Sequence, residues 1–154
     1  LSLHDALPIS AADENIFSGE TKNNLKDLDD LTSEEVNKFV SGTELDANPL
    51  AKVLSTQEDR SAAAEIIEGL IERAAKLVAA NLAAVILKTG KAKNQDKPVL
   101  MTIEGTTFYK LKNFQKMFEN FLNDFLSGDR KRYYEIVEVE NSSLLGAAIA
   151  AIVN

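Results

Sequence analysis

The chain has 154 residues, a formal charge of −7 and no cysteine, and 45% of its residues are apolar. Such a composition builds one domain or part of one, without a disulfide framework. An acidic chain with a pI near 4.8 argues against nucleic acid or an anionic membrane as a partner. ATP stays open, because backbone amides and helix ends hold phosphate as well as cations do. The longest weakly polar run, residues 74–87, is shorter than the ~20 residues of a membrane-spanning helix. No stretch reads as a signal peptide, so a cytoplasmic protein is expected.

Residues 1–10, Leu-Ser-Leu-His-Asp-Ala-Leu-Pro-Ile-Ser, are similar to one reading frame of a common sequencing adaptor. They are expected not to be native, the alternative being an ordinary N-terminal loop and helix start, and are set aside from fold reasoning. His4, the only histidine, goes with them. With neither His nor Cys left, no Ser-His-Asp site, Cys-His site or zinc cluster can be assembled.

Residues 11–46 predict two short helices. Thr21 can cap the first, which runs through Leu28, and Thr32-Ser33-Glu34-Glu35 carries the hydroxyl-then-acid spacing of a capping box. Val36, Phe39 and Val40 form the apolar stripe of the second helix, which ends near Gly42. Asp27, Asp29 and Asp30 lack the glycine and terminal glutamate of a calcium loop and read as a solvated turn. Residues 46–57 are a connector with a turn at Asn48-Pro49.

A long helix follows, capped by Asp59 or Ser61 and running to about Lys88. Ile66, Ile67, Leu70, Ile71, Ala74, Leu77, Val78, Asn81, Leu82, Val85 and Ile86 recur at helical spacing and predict its buried stripe. Asn81 is expected as a satisfied polar group in that stripe. Thr89-Gly90 ends the helix by glycine capping. The loop at residues 91–97 is basic, and is either solvated charge or a phosphate contact.

The run Val99-Leu100-Met101-Thr102-Ile103-Glu104 predicts a buried strand within residues 98–104, closed by Gly105-Thr106-Thr107. A glycine there supplies φ > 0 and lets a ligand approach the main chain closely. In open α/β sheets, ligands bind at the carboxyl ends of strands. A helix is expected from Asn113, with Phe114, Met117, Phe118, Phe121, Leu122 and Phe125 on its core face. Residues 127–129 break it, and residues 133–138 alternate as a second strand. Glu140-Asn141-Ser142-Ser143 then cap a small-residue helix from Leu144. Strand, helix, strand implies two parallel neighbours with a right-handed crossover. Gly105 and Ser142-Ser143 would then share one rim, with helix amides facing it.

Several segments resemble the hexokinase family in the family's order. Glu104-Gly105-Thr106-Thr107-Phe108-Tyr109-Lys110 is similar to its Asp-Gly-Ser/Thr-x-Tyr-Lys segment. Residues 139–151 resemble the closing Glu-Asp-Gly-Ser-Gly-x-Gly-Ala-Ala-Leu helix, and Arg73-Ala74-Ala75 resembles an Arg-Ala-Ala helix. Ile16-Phe17-Ser18-Gly19-Glu20 and Phe39-Val40-Ser41 also fall in place. The resemblance runs from about Ala11 to the end.

It implies an α/β fold: the C-terminal portion of an actin-like ATPase (ribonuclease H-like) large domain, helix-rich with two parallel strands. It implies ATP and Mg²⁺ as cofactors and transfer of phosphate to the 6-hydroxyl of glucose or a similar hexose. The positions matching the adenosine side of the site are Asn37, Ser41, Gly105, Thr106, Ser142 and Ser143. Asn37 departs from the family's threonine, and Ser142 and Leu144 stand where the family has glycines. The phosphate loops, the catalytic aspartate and the sugar-binding residues are expected upstream of Ala11, in an N-terminal part of the same polypeptide. No catalytic residue is therefore assigned, no metal ligand is named, and this chain alone is expected to be inactive. The competing readings are a non-catalytic scaffold or regulator of sugar-kinase shape, and a free-standing helical α/β domain without nucleotide.

Overall fold

The computed structural model describes residues 16–138 and 149–152. The chain divides into two compact units, one from residues up to 74 plus 110–114, the other from residues 75–109 and from 115 onward. Helices α1 (Gly19–Asn24), α2 (Ser33–Ser41) and α3 (Pro49–Val53) lie in the first unit. Helix α4 (Gln57–Thr89) runs from the first into the second. Strand β1 (Val99–Thr102), helices α5 (Thr106–Lys110) and α6 (Phe114–Phe125), and strand β2 (Tyr134–Val137) follow.

In the first unit the caps follow local chemistry. Ser18, not Thr21, caps α1: its hydroxyl accepts from Thr21 N–H at 3.3 Å. The helix is also shorter than expected, giving way to a 3-10 turn at Leu25–Asp27. Thr21 is fully buried and serves the interior instead. The Thr32 capping box forms as expected, with Glu35 N–H donating to the Thr32 hydroxyl and Thr32 N–H to the Glu35 carboxylate. Those bonds hold the Glu35 carboxyl below its usual range. Gly42, left-handed at φ 70, closes α2.

The Asn48-Pro49 turn is instead a helix start. Asn48 accepts from Ala51 N–H at 3.2 Å and Pro49 opens α3, where a missing N–H costs nothing. Asn48 also donates to Glu35 O at 2.8 Å, joining α3 to α2. Val36, Phe39, Val40, Leu50, Ala51 and Leu54 are buried there.

Neither Asp59 nor Ser61 caps α4. The hydroxyl of Thr56 accepts from Asp59 N–H at 3.0 Å, which frees the Asp59 carboxylate for α1. It accepts from Ser18 N–H, the Ser18 hydroxyl and the Thr21 hydroxyl at 2.7–2.8 Å. Burial opposes its ionisation, yet these donors, with Thr56, bring its carboxyl down to about 2.

The expected stripe of α4 is buried at only three of its eleven positions. Ile67, Ile71 and Ile86 are buried, but so are Ala63, Ala75, Ala79 and Ala83, while Leu77, Val78 and Val85 are exposed. Asn81 is exposed too and donates to Leu77 O one turn back. The small alanine side chain lets neighbouring elements approach this face closely. Periodicity weighs side chains by hydrophobicity and so ranked the larger residues higher.

In the second unit β1 and β2 pair in parallel, Val99 with Tyr134 through to Thr102 with Val137. The chain is extended beyond the pairing and Ile103 N–H still reaches Val137 O at 3.4 Å, but the strand is shorter than expected. On α6, Phe114, Phe118 and Leu122 are buried, and Phe118 meets Phe108 edge-on at 5.3 Å. The aromatic stripe is therefore core. Lys76 sits over the Phe121 ring at 5.4 Å. Residues 149–152 are helical. Among the described residues no helix is long and apolar enough to cross a membrane.

Candidate functional site

The carboxyl ends of β1 and β2 point the same way, because Thr102 pairs with Val137 in a parallel register. At that rim the chain turns through Ile103, Glu104 and Gly105 into α5, an element that was not expected from the sequence. Gly105 has φ +126, a backbone conformation that residues with a Cβ rarely adopt. Among the described residues, a Cβ built there would meet no atom within 4 Å. Thr106 is the first residue of α5 and is exposed.

A side chain to which the sequence alone assigns no role braces the corner. The Tyr109 hydroxyl, one turn along α5, donates to Ile103 O at 2.9 Å. Burial raises the Tyr109 pKa, and the charge of Glu138 raises it further, so the phenol stays a donor. Its edge contact with Phe108 at 5.0 Å fixes the ring. The available signal was the Tyr-Lys pair that closes the corner motif. A tyrosine four residues after a strand-ending glycine can reach back to the last carbonyls of that strand.

Asn37 and Ser41 lie in the first unit, four residues apart on α2. The Asn37 amide is engaged at both ends: Nδ2 donates to Lys110 O at 3.0 Å and Oδ1 accepts from Lys112 N–H at 2.8 Å. Lys112 in turn donates through Nζ to Val40 O and to Glu68, at 2.6 and 2.9 Å. Ser41 is exposed at the last position of α2. Ser142 and Ser143 lie outside the described residues. Among the described residues no cluster of three acids or histidines could hold a metal ion.

The described residues thus make a helix-rich protein with a two-stranded parallel sheet and a glycine corner before a helix. A protein-family model described as hexokinase matches residues 6–153. The chain belongs to the hexokinase family, whose members are phosphoryl-transferring kinases. No curated protein matches it.

Proposed function

We propose that this chain is the C-terminal part of the large domain of an ATP-dependent hexokinase with the actin-like ATPase fold, and that it contributes the adenosine side of the ATP site. The reading rests on one observation: the bare backbone at Gly105, with no atom of the described residues within 4 Å of a built Cβ, just beyond the carboxyl end of a parallel strand. A planar base or ribose can lie against a main chain that has no Cβ. By family position, hydroxyls are carried by Thr106 in the second unit, by Ser41 in the first, and by Ser142 and Ser143, which lie outside the described residues. Asn37 is the weaker member of the set, since a nucleotide contact there would have to displace a bond to Lys110 or Lys112.

The residues present fit the nucleoside end of the substrate better than its phosphates or a metal. ATP brings the transferable phosphoryl group, and Mg²⁺ neutralises its charge when bound. The base that accepts the proton of the hexose 6-hydroxyl belongs to motifs that precede the matched segments in this family. Work done by this chain is therefore positioning: α5 and the Tyr109 bond hold the corner rigid, so that its shape is present before the nucleotide arrives.

Titrating the isotopically labelled chain with Mg-ATP tests this by amide NMR. Shifts should concentrate at Gly105 and Thr106, and a coupled assay with glucose should show no turnover by the chain alone. Shifts that avoid Gly105 and Thr106 at saturating nucleotide would overturn the assignment.

A further inference from the structure

Charge in this acidic chain is unevenly placed. Between α4 and β1, residues 91–97 carry Lys91, Lys93 and Lys97 against the single acid Asp96. Among the described residues no ion pair engages these three lysines. They surround a cavity of about 480 Å³ whose wall includes Gly90, Ala92, Asn94 and Val99. That size is typical of small-ligand sites.

The loop has a fixed frame rather than a solvated drape. Gly90 ends α4 at φ 68, and Ala92 is left-handed at φ 58, a conformation that a residue with a Cβ adopts only when its surroundings enforce it. Ala92 is buried, and its carbonyl accepts from Tyr133 N–H at 2.9 Å, just before β2. Tyr133 O accepts in turn from Val99 N–H at 3.0 Å. Asn94 O closes a turn by accepting from Lys97 N–H at 3.2 Å. Lys91 and Lys93 flank Ala92 without sharing its positive φ. A left-handed residue next to right-handed ones can turn successive N–H groups into a concavity that favours anions. Among the described residues the amides of Ala92 and Lys93 have no hydrogen-bond acceptor. Solvated charge alone explains lysines, but not a strained, buried alanine pinned between them.

From these observations we infer that residues 90–97 form a binding site for a small phosphorylated molecule, separate from the nucleotide corner. Three cations and two free amides suit a dianionic phosphate better than a carboxylate, which carries one charge and two oxygens. The cavity is lined by Val99, at the amino end of β1, whereas the corner lies beyond Thr102 at its carboxyl end. At ~3.3 Å per residue the strand alone keeps them about 10 Å apart. The site therefore stands or falls independently of the proposed ATP contact.

Pyrophosphate, used as the probe on the full chain at fixed ionic strength, tests it by amide NMR and calorimetry. Shifts should cluster at residues 90–94 and Val99, and the triple substitution Lys91→Ala, Lys93→Ala, Lys97→Ala should weaken binding at least tenfold. Arginine at the same three positions should retain it within about threefold, because charge rather than lysine chemistry is required. Shifts confined to residues 104–107 would overturn the proposal, as would unchanged affinity in the folded triple variant. Should that variant fail to fold, the shift map of the native chain decides alone. Binding of heparin tenfold tighter than pyrophosphate, lost in the triple variant, would also overturn the small-ligand assignment in favour of a polyanion surface.

Discussion

Lys112 N–H donates to Asn37 Oδ1 at 2.8 Å across 75 residues of sequence. With the reciprocal bond from Asn37 Nδ2 to Lys110 O, the amide clasps the segment that leaves the glycine corner's helix. A side chain that matches a ligand contact by family position thus works as a tether within its own unit.

Asn37→Ala should lower stability by about 1–2 kcal/mol, since two backbone groups lose their partner but can partly regain water. Urea unfolding at constant slope is the check. Asn37→Asp keeps the acceptor for Lys112 and should cost less than alanine. A change under about 0.3 kcal/mol for Asn37→Ala would show that the tether contributes nothing.

Asp59 sets the acid limit of the first unit. Its folded carboxyl sits at about 2, against 3.8 for the ordinary group, through bonds from Ser18, Thr21 and Thr56 that outweigh burial. Its contribution is fully present above the unfolded value and is lost as pH falls from about 4 through 2. Asp59→Asn should be less stable at pH 7 and should show a shallower acid limb. Denaturant midpoints measured from pH 2 to 7 decide it; parallel curves for the two proteins would refute the role.

Gly105 has a φ of +126, and a Cβ there would meet nothing among the described residues, so a side chain costs through backbone strain. Gly105→Ala should cost about 1–3 kcal/mol, with valine worse because it is β-branched. In variants that still melt cooperatively, the Mg-ATP shifts at Thr106 should disappear. Retention of those shifts in Gly105→Val would exclude close approach to this backbone.

The two faces of α4 should respond oppositely. Ala79 is fully buried, so Ala79→Leu overfills its contact and should cost about 1–3 kcal/mol. Leu77 is 54% exposed, and Leu77→Lys should stay within about 0.5 kcal/mol. Thermal melts of both variants test the assignment. Equal losses would mean that the apolar stripe, not the alanine face, is the packed one.

Local chemistry made much of this protein legible in its sequence. The Thr32 capping box, the glycine ends of α2 and α4 and the aromatic core of α6 follow from spacing within a few residues, and the parallel sense of the two strands from their strand-helix-strand order. The corner motif at Gly105 and the order of the other segments were enough to place the family. Tertiary structure decided whatever depends on a partner distant in sequence. Thr21 and Asp59 both looked like caps, yet they bond each other across 38 residues and leave capping to Ser18 and Thr56. Asn37 gained its role from residues 110–112, and Tyr109 from the strand that precedes it. Alanine won the inner face of α4 because burial is set by how near the neighbours come. A hydrogen-bonding side chain carries no mark of which donor will reach it, and hydrophobicity carries no measure of distance; only the folded chain supplies both.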